Sequence, residues 1–253
     1  MTSIVIIPAR YDSTRFPGKP LYPLRGMPVI QHVYESAKRA RLADEVIVAT
    51  DSETIFERVL AFGGKAAMTD KKHPSGTDRV AEVAASVDCD IIVNVQGDEP
   101  LVRPEMIDDV ITILADGRAS IGTLIKKIEN PDEITDPNVV KVVFDKEGFA
   151  LYFSRAPVPY YRDKWKNVAN IQHSVFDIQN CYKHIGIYGY KRDILLSLAE
   201  MTPTKLEKIE RLEQLRALEN GIRIKVKETF FETYGVDTPE DIEKVEKCLS
   251  SYL

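Results

Sequence analysis

The sequence lacks the features of several large classes of protein. Its three cysteines, Cys89, Cys181 and Cys248, are far apart and without CxxC spacing, so they indicate neither a disulfide framework nor a zinc site. No apolar run approaches the roughly 20 residues that span a bilayer. The first residues, MTSIVIIPAR, have no basic region followed by a long apolar stretch, as a signal peptide would. We therefore expect a cytoplasmic protein with reduced thiols and no membrane partner.

A basic excess is also missing. The 253 residues carry a net charge of −5, which does not favour a nucleic-acid partner. A small anionic substrate stays possible, because a few local Arg and Lys side chains can hold it whatever the net charge. The length suits one domain, which we expect to cover residues 1–253.

Short runs rich in Val and Ile alternate with longer helical patterns, which is typical of α/β proteins with a largely parallel, buried sheet. The first half predicts strands at 3–7, 45–49 and 91–95, and helices at 29–40, 53–62 and 104–114. The second half predicts shorter strands at 122–128, 139–144 and 150–153, a strand from 183, a helix at 191–198, a long helix at 204–219, a strand at 223–227 and a last helix after Pro239.

The polar, aromatic segment at 157–181 is the least regular part of the chain. Long irregular loops in compact domains tend to be functional or flexible, so it could be an arm, a lid or a dimer contact. A plain surface insertion is the alternative.

The loop PARYDSTRFPGKPL, residues 8–21, directly follows the first strand, where α/β sheets place ligands. It combines Arg10, Arg15 and Lys19 with Ser13, and such cations and hydroxyls suit a triphosphate. The sequence is neither GxxxxGK[ST] nor GxGxxG. The alternative is a solvated basic loop.

Two acidic segments could bind a cation. VNVQGDEPLV places Asp98 just past a buried strand, and Mg²⁺ characteristically uses one or two carboxylates plus phosphate oxygens. GVDTPEDIEKV places Asp237 just outside a helix cap, where it could supply a second carboxylate. An ordinary acidic turn and a capping sequence are the respective alternatives.

In KLEKIERLEQLRALENG, residues 205–221, Glu213 shares a helical face with Leu206 and Ile209. A buried carboxylate is costly unless it is hydrogen-bonded or paired. Glu213, with its neighbour Gln214, therefore could recognise a polyhydroxylated ligand, and an internal ion pair is the alternative.

Two further segments offer candidate side chains. In SGTDR, Ser75 and Arg79 could contact a nucleotide, with Thr77 or Asp78 capping a helix. ALYFSRAPVPYY and YKHIGIYGY supply Arg155, His184 and Tyr188, which suit the carboxylate and hydroxyls of a sugar acid. A lone His on a strand is more often structural.

Seven segments in this order resemble the 3-deoxy-manno-octulosonate (Kdo) cytidylyltransferase, or CMP-Kdo synthetase, family nearly from end to end: PARYDSTRFPGKPL, SGTDR, VNVQGDEP, ALYFSRAPVP, HIGIYGY, LEKIERLEQLRALE and VDTPED. The resemblance implies a Rossmann-like nucleotidyltransferase fold, with a central, mostly parallel mixed sheet between helices, and a homodimer. It also implies CTP as the donor and a 3-deoxy-ulosonic acid as the acceptor.

The resemblance further implies roles for the candidate residues. Arg10, Ser13 and Lys19, assisted by Arg15, would meet the CTP phosphates. The residues by the cytidine would be Ser75, Arg79, Pro8 and Ala9. Asp98 and Asp237 would hold Mg²⁺. The sugar site would contain Gln96, Arg155, His184, Tyr188, Glu213 and Gln214.

The implied reaction is an in-line attack of the anomeric hydroxyl of Kdo on the α-phosphorus of CTP, which gives CMP-Kdo and pyrophosphate for lipopolysaccharide biosynthesis. Lys19 would stabilise the growing charge. A cytidylyltransferase for a related acid, such as 8-amino-Kdo or a sialic-type acid, and a non-catalytic nucleotide-binding module are the alternatives.

Overall fold

The computed structural model describes residues 1–12, 16–162, 165 and 180–251. Most of the predicted arm or lid at 157–181, namely positions 163, 164 and 166–179, lies outside the described residues. Its role therefore stays a prediction. None of the helices in the described part of the chain is long and apolar enough to cross a membrane.

The centre of the molecule is a mixed β-sheet. The strands are β1 (Ser3–Ala9), β2 (Pro23–Leu24), β3 (Met27–Pro28), β4 (Glu45–Thr50), β5 (Ala66–Met68), β6 (Ile91–Asn94), β7 (Ile121–Lys127), β8 (Lys141–Phe144), β9 (Ala150–Ser154), β10 (Tyr182–Lys191) and β11 (Ile224–Glu228). Among the described residues the main sheet has the order β11-β7-β10-β6-β1-β4-β5, and β8 joins β9 to β10. β6, β1, β4 and β5 run parallel, β11 is parallel to β7, and β10 is antiparallel to β6 and β7. The predicted mostly parallel mixed sheet is confirmed.

Helices cover both faces of this sheet. They are α1 (Val29–Ala37), α2 (Glu53–Ala61), α3 (Gly76–Ser86), α4 (Pro104–Ala115), α5 (Asp132–Thr135), α6 (Arg192–Glu200), α7 (Lys205–Glu210), α8 (Gln214–Glu219) and α9 (Pro239–Ser251).

The central strand β1 shows why both faces are covered. Val5 and Ile7 pack in one cluster with side chains of α1, α2 and α4, whereas Ile4 and Ile6 pack in another with α3, α6 and α8. Successive side chains of a strand point to opposite faces, so a run of apolar residues needs a helix layer on each side. Complete burial of one such side chain contributes about 1.5–3 kcal/mol.

The elements predicted for the first 115 residues are confirmed with small shifts at their ends, but a short hairpin was not predicted. It pairs β2 with β3 through Arg25 and Gly26. Both residues have positive φ, of 50° and 81°. Two such residues in succession are typical of a tight hairpin turn.

The predicted long helix at 204–219 is wrong. The chain forms two short helices instead, α7 and α8, and Arg211 between them has a left-handed backbone with φ 53°. Ile209, which the helical pattern placed on the buried face, is 67% exposed. Helical periodicity cannot reveal such a break, because Arg211 is not one of the residues that usually adopt this conformation.

Candidate active site

Two cavities meet at the carboxyl ends of β1 and β6, where α/β sheets place ligands. Cavity A has a volume of about 250 Å³ and cavity B about 190 Å³, and Gln96 lines both. The residues predicted for the nucleotide and the metal that line cavity A are Pro8, Ala9, Arg10, Lys19, Ser75, Arg79, Asp98 and Asp237. The residues predicted for the sugar that line cavity B are Gln96, Tyr188, Glu213 and Gln214. Thus most of the predicted site is brought together, in two adjoining parts.

The basic loop forms one wall of cavity A. Gly18 closes the loop by donating its backbone N–H to the carbonyl of Tyr11 at 2.9 Å. Gly18 has φ 72°, a left-handed conformation that favours glycine, and a short 3-10 helix (Lys19–Leu21) begins directly after it. Ser13 and Arg15, both predicted to meet phosphates, lie outside the described residues.

Lys19 connects the loop to two carboxylates far away in the sequence. Its Nζ lies 2.6 Å from Asp98 Oδ2 and 3.3 Å from Asp237 Oδ1, and the Lys19 side chain is only 11% exposed. Asp98 and Asp237 are 32% and 50% exposed, so both remain accessible from solvent. The two predicted metal carboxylates therefore lie beside one cation, at the rim of cavity A.

Backbone contacts hold Asp237 beside Asp98. The N–H of Val236 donates to the carbonyl of Asp98 at 2.8 Å. At the start of α9, the N–H groups of Asp237 and Thr238 donate to Asp241 Oδ2 at 3.1 and 3.0 Å. The acidic residue in the first turn of this helix thus fixes the direction in which the chain enters it.

A glycine allows the ends of β1 and β6 to come close. A Cβ atom on Gly97 would lie 2.7 Å from the carbonyl oxygen of Pro8, too close for any side chain. Because position 97 is glycine, the turn that carries Asp98 can approach the end of β1. This close approach sets the width of cavity A.

Glu99 was not predicted as a site residue. Burial, followed by the neighbouring charges of Asp98 and Asp237, raises the pKa of Glu99 to about 8. Burial is the larger cause, because it disfavours the charged form, and the two neighbouring carboxylates add to it. The carboxylates of Asp98 and Asp237, which already hold the Lys19 ammonium, are the groups at this place that favour a cation.

The start of α3 separates the two cavities. Ser75, rather than the predicted Thr77 or Asp78, is the N-cap: its Oγ accepts from the N–H of Asp78 at 3.1 Å. Thr77 instead donates its hydroxyl hydrogen bond to Glu213 Oε1. Adjacent residues of one helix terminus therefore face cavity A and cavity B.

Arg79 lies in the wall of cavity A with its guanidinium already bound. It is 4% exposed and donates to Thr69 Oγ1 and, at 2.8 Å, to Asp51 Oδ2. Asp51 follows β4 and Thr69 follows β5, so Arg79 ties α3 to the edge of the sheet. Its predicted contact with the nucleotide stays a prediction.

Glu213 points inward, as predicted, although the helix break rather than a helical face puts it there. Burial raises the pKa of Glu213, and the hydrogen bond from Thr77 and the charge of Arg216 partly oppose this rise. Arg216 itself forms a two-point pair with Glu207, at 2.9 and 2.5 Å. The sequence left an internal ion pair as the alternative role of Glu213. In the structure it is Glu207, and not Glu213, that forms such a pair with Arg216.

His184 lies next to cavity B, beside Tyr188. The rings of these two residues are 5.0 Å apart. Thr123 Oγ1 donates to the carbonyl of Ile187 at 2.7 Å and so accepts from His184 Nε2 at 2.9 Å. Burial lowers the pKa of His184 to about 3, which keeps the imidazole neutral. In this arrangement His184 supports Tyr188, and its predicted contact with the sugar stays a prediction.

Arg155 is not among the residues that line the two cavities. Its guanidinium donates to the backbone carbonyls of Glu210 and Pro137, both at 2.7 Å, and to that of Arg211 at 3.4 Å. Its backbone N–H donates to the Glu210 carboxylate at 3.0 Å. Arg155 therefore holds the chain at the break between α7 and α8, two residues before Glu213. Its predicted contact with the sugar stays a prediction.

Sequence reasoning also missed Asn94, which lies in cavity B. Asn94 is the one polar side chain in the run IIVNV of β6 and the residue after it. A polar residue in the middle of a buried strand needs a partner or a ligand, so that departure from the apolar pattern was the available signal.

The chain is similar to known cytidylyltransferases in both sequence and structure. A family model described as cytidylyltransferase matches residues 4–228. The 3-deoxy-manno-octulosonate cytidylyltransferase of Geobacter metallireducens is 56% identical over 253 residues, which cover 100% of this chain and 99% of the relative. That of Thermodesulfovibrio yellowstonii is 53% identical, with 100% of both proteins covered. A solved structure of a CMP:2-keto-3-deoxy-manno-octonic acid synthetase complexed with CTP is similar with a TM-score of 0.91, at 42% identity and with 100% of both chains covered.

Proposed function

The chain belongs to the cytidylyltransferase family, and from this we propose that it transfers CMP from CTP to the anomeric hydroxyl of Kdo with release of pyrophosphate. The observation that carries the proposal is the pair of adjoining cavities. One is lined by cations and carboxylates, the other by uncharged polar and aromatic side chains with one carboxylate, and Gln96 joins them. A triphosphate fits the first kind of surface and a polyhydroxylated acceptor fits the second.

Cavity A suits the nucleotide. Arg10 and Lys19 supply positive charge on one wall, and the start of α3 at Ser75 and Gly76 supplies a helix N-terminus on the other. Both features attract phosphate oxygens. Pro8 and Ala9, at the end of β1, line the same cavity, where we expect the base.

Asp98 and Asp237 suit Mg²⁺. Among the described residues, three or more His, Cys, Asp or Glu side chains do not come together as a complete metal cage. Mg²⁺ rarely needs such a cage, because it binds one or two carboxylates together with phosphate oxygens and water. The Lys19 ammonium already held by Asp98 and Asp237 fits a site built for positive charge. When bound there, Mg²⁺ would activate the acceptor hydroxyl and neutralise charge on the triphosphate.

The residues of the chain hold and orient the reactants. The bond from the anomeric oxygen to the α-phosphorus forms as the bond to the pyrophosphate oxygen breaks, so a nucleophilic side chain is not required. The proton of the attacking hydroxyl leaves to solvent. The Lys19 ammonium, which lies beside the Asp98 carboxylate, stabilises the charge that moves onto the phosphate oxygens.

Cavity B suits the acceptor. Glu213 and Gln214 enter it from the break before α8, Tyr188 from β10 and Gln96 from the end of β6. These side chains offer fixed hydrogen-bonding groups around an apolar floor, the usual composition of a small-molecule site. A homodimer, a cytoplasmic location and a role in lipopolysaccharide biosynthesis are further parts of the proposal.

The test is release of pyrophosphate from CTP in the presence of Kdo, with and without Mg²⁺. We expect release with CTP and Kdo that is lost when EDTA removes the metal. The same assay with ATP, GTP and UTP, and with 8-amino-Kdo and a sialic acid in place of Kdo, measures selectivity. If pyrophosphate release is faster with another acid, that acid replaces Kdo as the proposed acceptor. If calorimetry shows CTP binding but no acid gives pyrophosphate release, the chain is a non-catalytic nucleotide-binding module.

A further inference from the structure

Asn94 places an unsatisfied acceptor inside cavity B. The residue ends β6 and is 2% exposed, and its Oδ1 has no hydrogen-bond partner among the described residues. Buried polar atoms without partners are rare in folded proteins, because each loses its hydrogen bonds to water without replacement. An atom of this kind at the wall of a cavity indicates a ligand that completes it.

A second unsatisfied group lies directly across from the first. Tyr188 is the partner of Asn94 in the antiparallel pairing of β10 with β6, so both side chains project from the same face of the sheet. The Tyr188 hydroxyl is also buried and without a hydrogen-bond partner in the described residues. The two groups line the same cavity and do not satisfy each other.

The chemistry of these groups restricts what they can bind. An amide oxygen can only accept a hydrogen bond, and the Glu213 carboxyl group in the same cavity already accepts one from Thr77. A carboxylate of a ligand has no hydrogen to donate to Asn94 Oδ1 and would leave this acceptor unsatisfied. A hydroxyl can donate to Asn94 Oδ1 and accept from Tyr188.

We infer that Asn94 is a specificity-determining residue that accepts a hydrogen bond from one hydroxyl of the acceptor sugar, beside Tyr188. The inference rests on the proposed function. It also orients the acceptor: the hydroxyl-bearing carbons enter cavity B, and the carboxylate and anomeric carbon lie towards Gln96 and cavity A.

The test combines a substitution in the protein with a deletion in the substrate. Asn94→Leu has a similar shape but no acceptor. The wild type and this variant are assayed for pyrophosphate release with Kdo and with a series of mono-deoxy analogues, each lacking one hydroxyl. We expect one analogue to lose at least about tenfold in kcat/KM with the wild type, because a site built around a hydroxyl rejects the analogue that lacks it.

Asn94→Leu should use Kdo less well, and it should lose less than the wild type when Kdo is replaced by that same analogue, since only the contact from Tyr188 is then removed. Its KM for CTP should be unchanged. A loss of the same factor for every analogue in wild type and variant would overturn the inference, as would unchanged use of Kdo. Asn94→Ala provides a second variant with the same expected pattern if the leucine is not accommodated.

Stability separates this role from a structural one. Removing an unsatisfied buried acceptor should leave the melting temperature of Asn94→Leu equal to that of the wild type or higher, whereas a structural Asn94 would make it fall. Ser36→Ala is the matched control: Ser36 is also buried, but its Oγ donates to the carbonyl of Val102, so its removal should lower stability and leave Kdo kinetics unchanged. If the wild type itself releases no pyrophosphate with CTP and Kdo, the proposed function fails before Asn94 is tested.

Discussion

Cavities A and B differ in how their polar groups are satisfied. In cavity A several charged groups already have partners: Lys19 contacts Asp98 and Asp237, and Arg79 contacts Asp51. In cavity B, Asn94 Oδ1 and the Tyr188 hydroxyl have none among the described residues. Cavity A must therefore exchange internal contacts for ligand contacts, whereas cavity B is complete only with a ligand.

The difference has a physical reason. Phosphates and metal ions bring full charges, and charges left unpaired in a partly buried site would be costly. Ion pairs within the protein neutralise these side chains while no ligand is bound. A neutral hydroxyl interacts more weakly than an ion, so a site selects it through fixed geometry. Leaving a neutral buried atom without a hydrogen bond also costs less folding free energy than leaving a charge unpaired.

The largest expected effect is in cavity A. Asp98→Asn keeps the size of the side chain and removes its charge, so turnover should fall by about 100-fold or more, a range typical for loss of one preorganised electrostatic group. The melting temperature should change little, because Asp98 is partly exposed. Asp88→Asn is the control, since Asp88 is exposed and lines neither cavity. Near-normal turnover at saturating Mg²⁺ would contradict the metal role of Asp98.

Lys19→Met should have opposite effects on the two proposed ligands of cavity A, the nucleotide and the metal ion. Without its cation the site should use CTP less well, with kcat/KM lower by about tenfold or more. In the absence of nucleotide, however, binding of Mn²⁺ should become tighter, because the Lys19 ammonium no longer neutralises Asp98. Electron paramagnetic resonance of free Mn²⁺ measures this directly. Weaker Mn²⁺ binding in Lys19→Met than in the control Lys38→Met would contradict the competition between lysine and metal.

The fold and cavity A could be predicted from the sequence more fully than cavity B, and particular residues show why. Lys19 and Asp98 lie in the loops that follow β1 and β6, two apolar strands whose positions follow from local patterns. Glu213 was found through a helical pattern that the structure breaks at Arg211. That Asn94 Oδ1 has no partner within the described part of the chain follows from three-dimensional packing, which local sequence patterns do not show.

Glu213→Gln should act on cavity B alone. The KM for Kdo should rise by about tenfold, with the KM for CTP unchanged. Burial raises the pKa of Glu213, so its ionised form destabilises the folded state. That penalty is absent below the ordinary carboxyl pKa, where the group is neutral in both states, and complete above the raised pKa.

The stability difference between Glu213→Gln and wild type should therefore favour the variant more at pH 8 than at pH 4. Thermal melts at both values, with the exposed Glu200→Gln as control, measure it. An equal difference at the two values would show that burial does not control the charge of Glu213. A larger change in the KM for CTP than for Kdo would contradict the division between the cavities.

The smallest effect concerns the break that brings Glu213 into cavity B. Arg211 adopts a left-handed backbone at a cost of about 1–2 kcal/mol that glycine avoids. Arg211→Gly should therefore be more stable than Arg211→Ala by about 1 kcal/mol in urea denaturation. Both variants remove the same exposed side chain and keep the carbonyl that accepts from Arg155, so the comparison isolates the backbone. Equal stability of the two variants, or a higher KM for Kdo in Arg211→Gly alone, would indicate that the break is not fixed by the surrounding contacts.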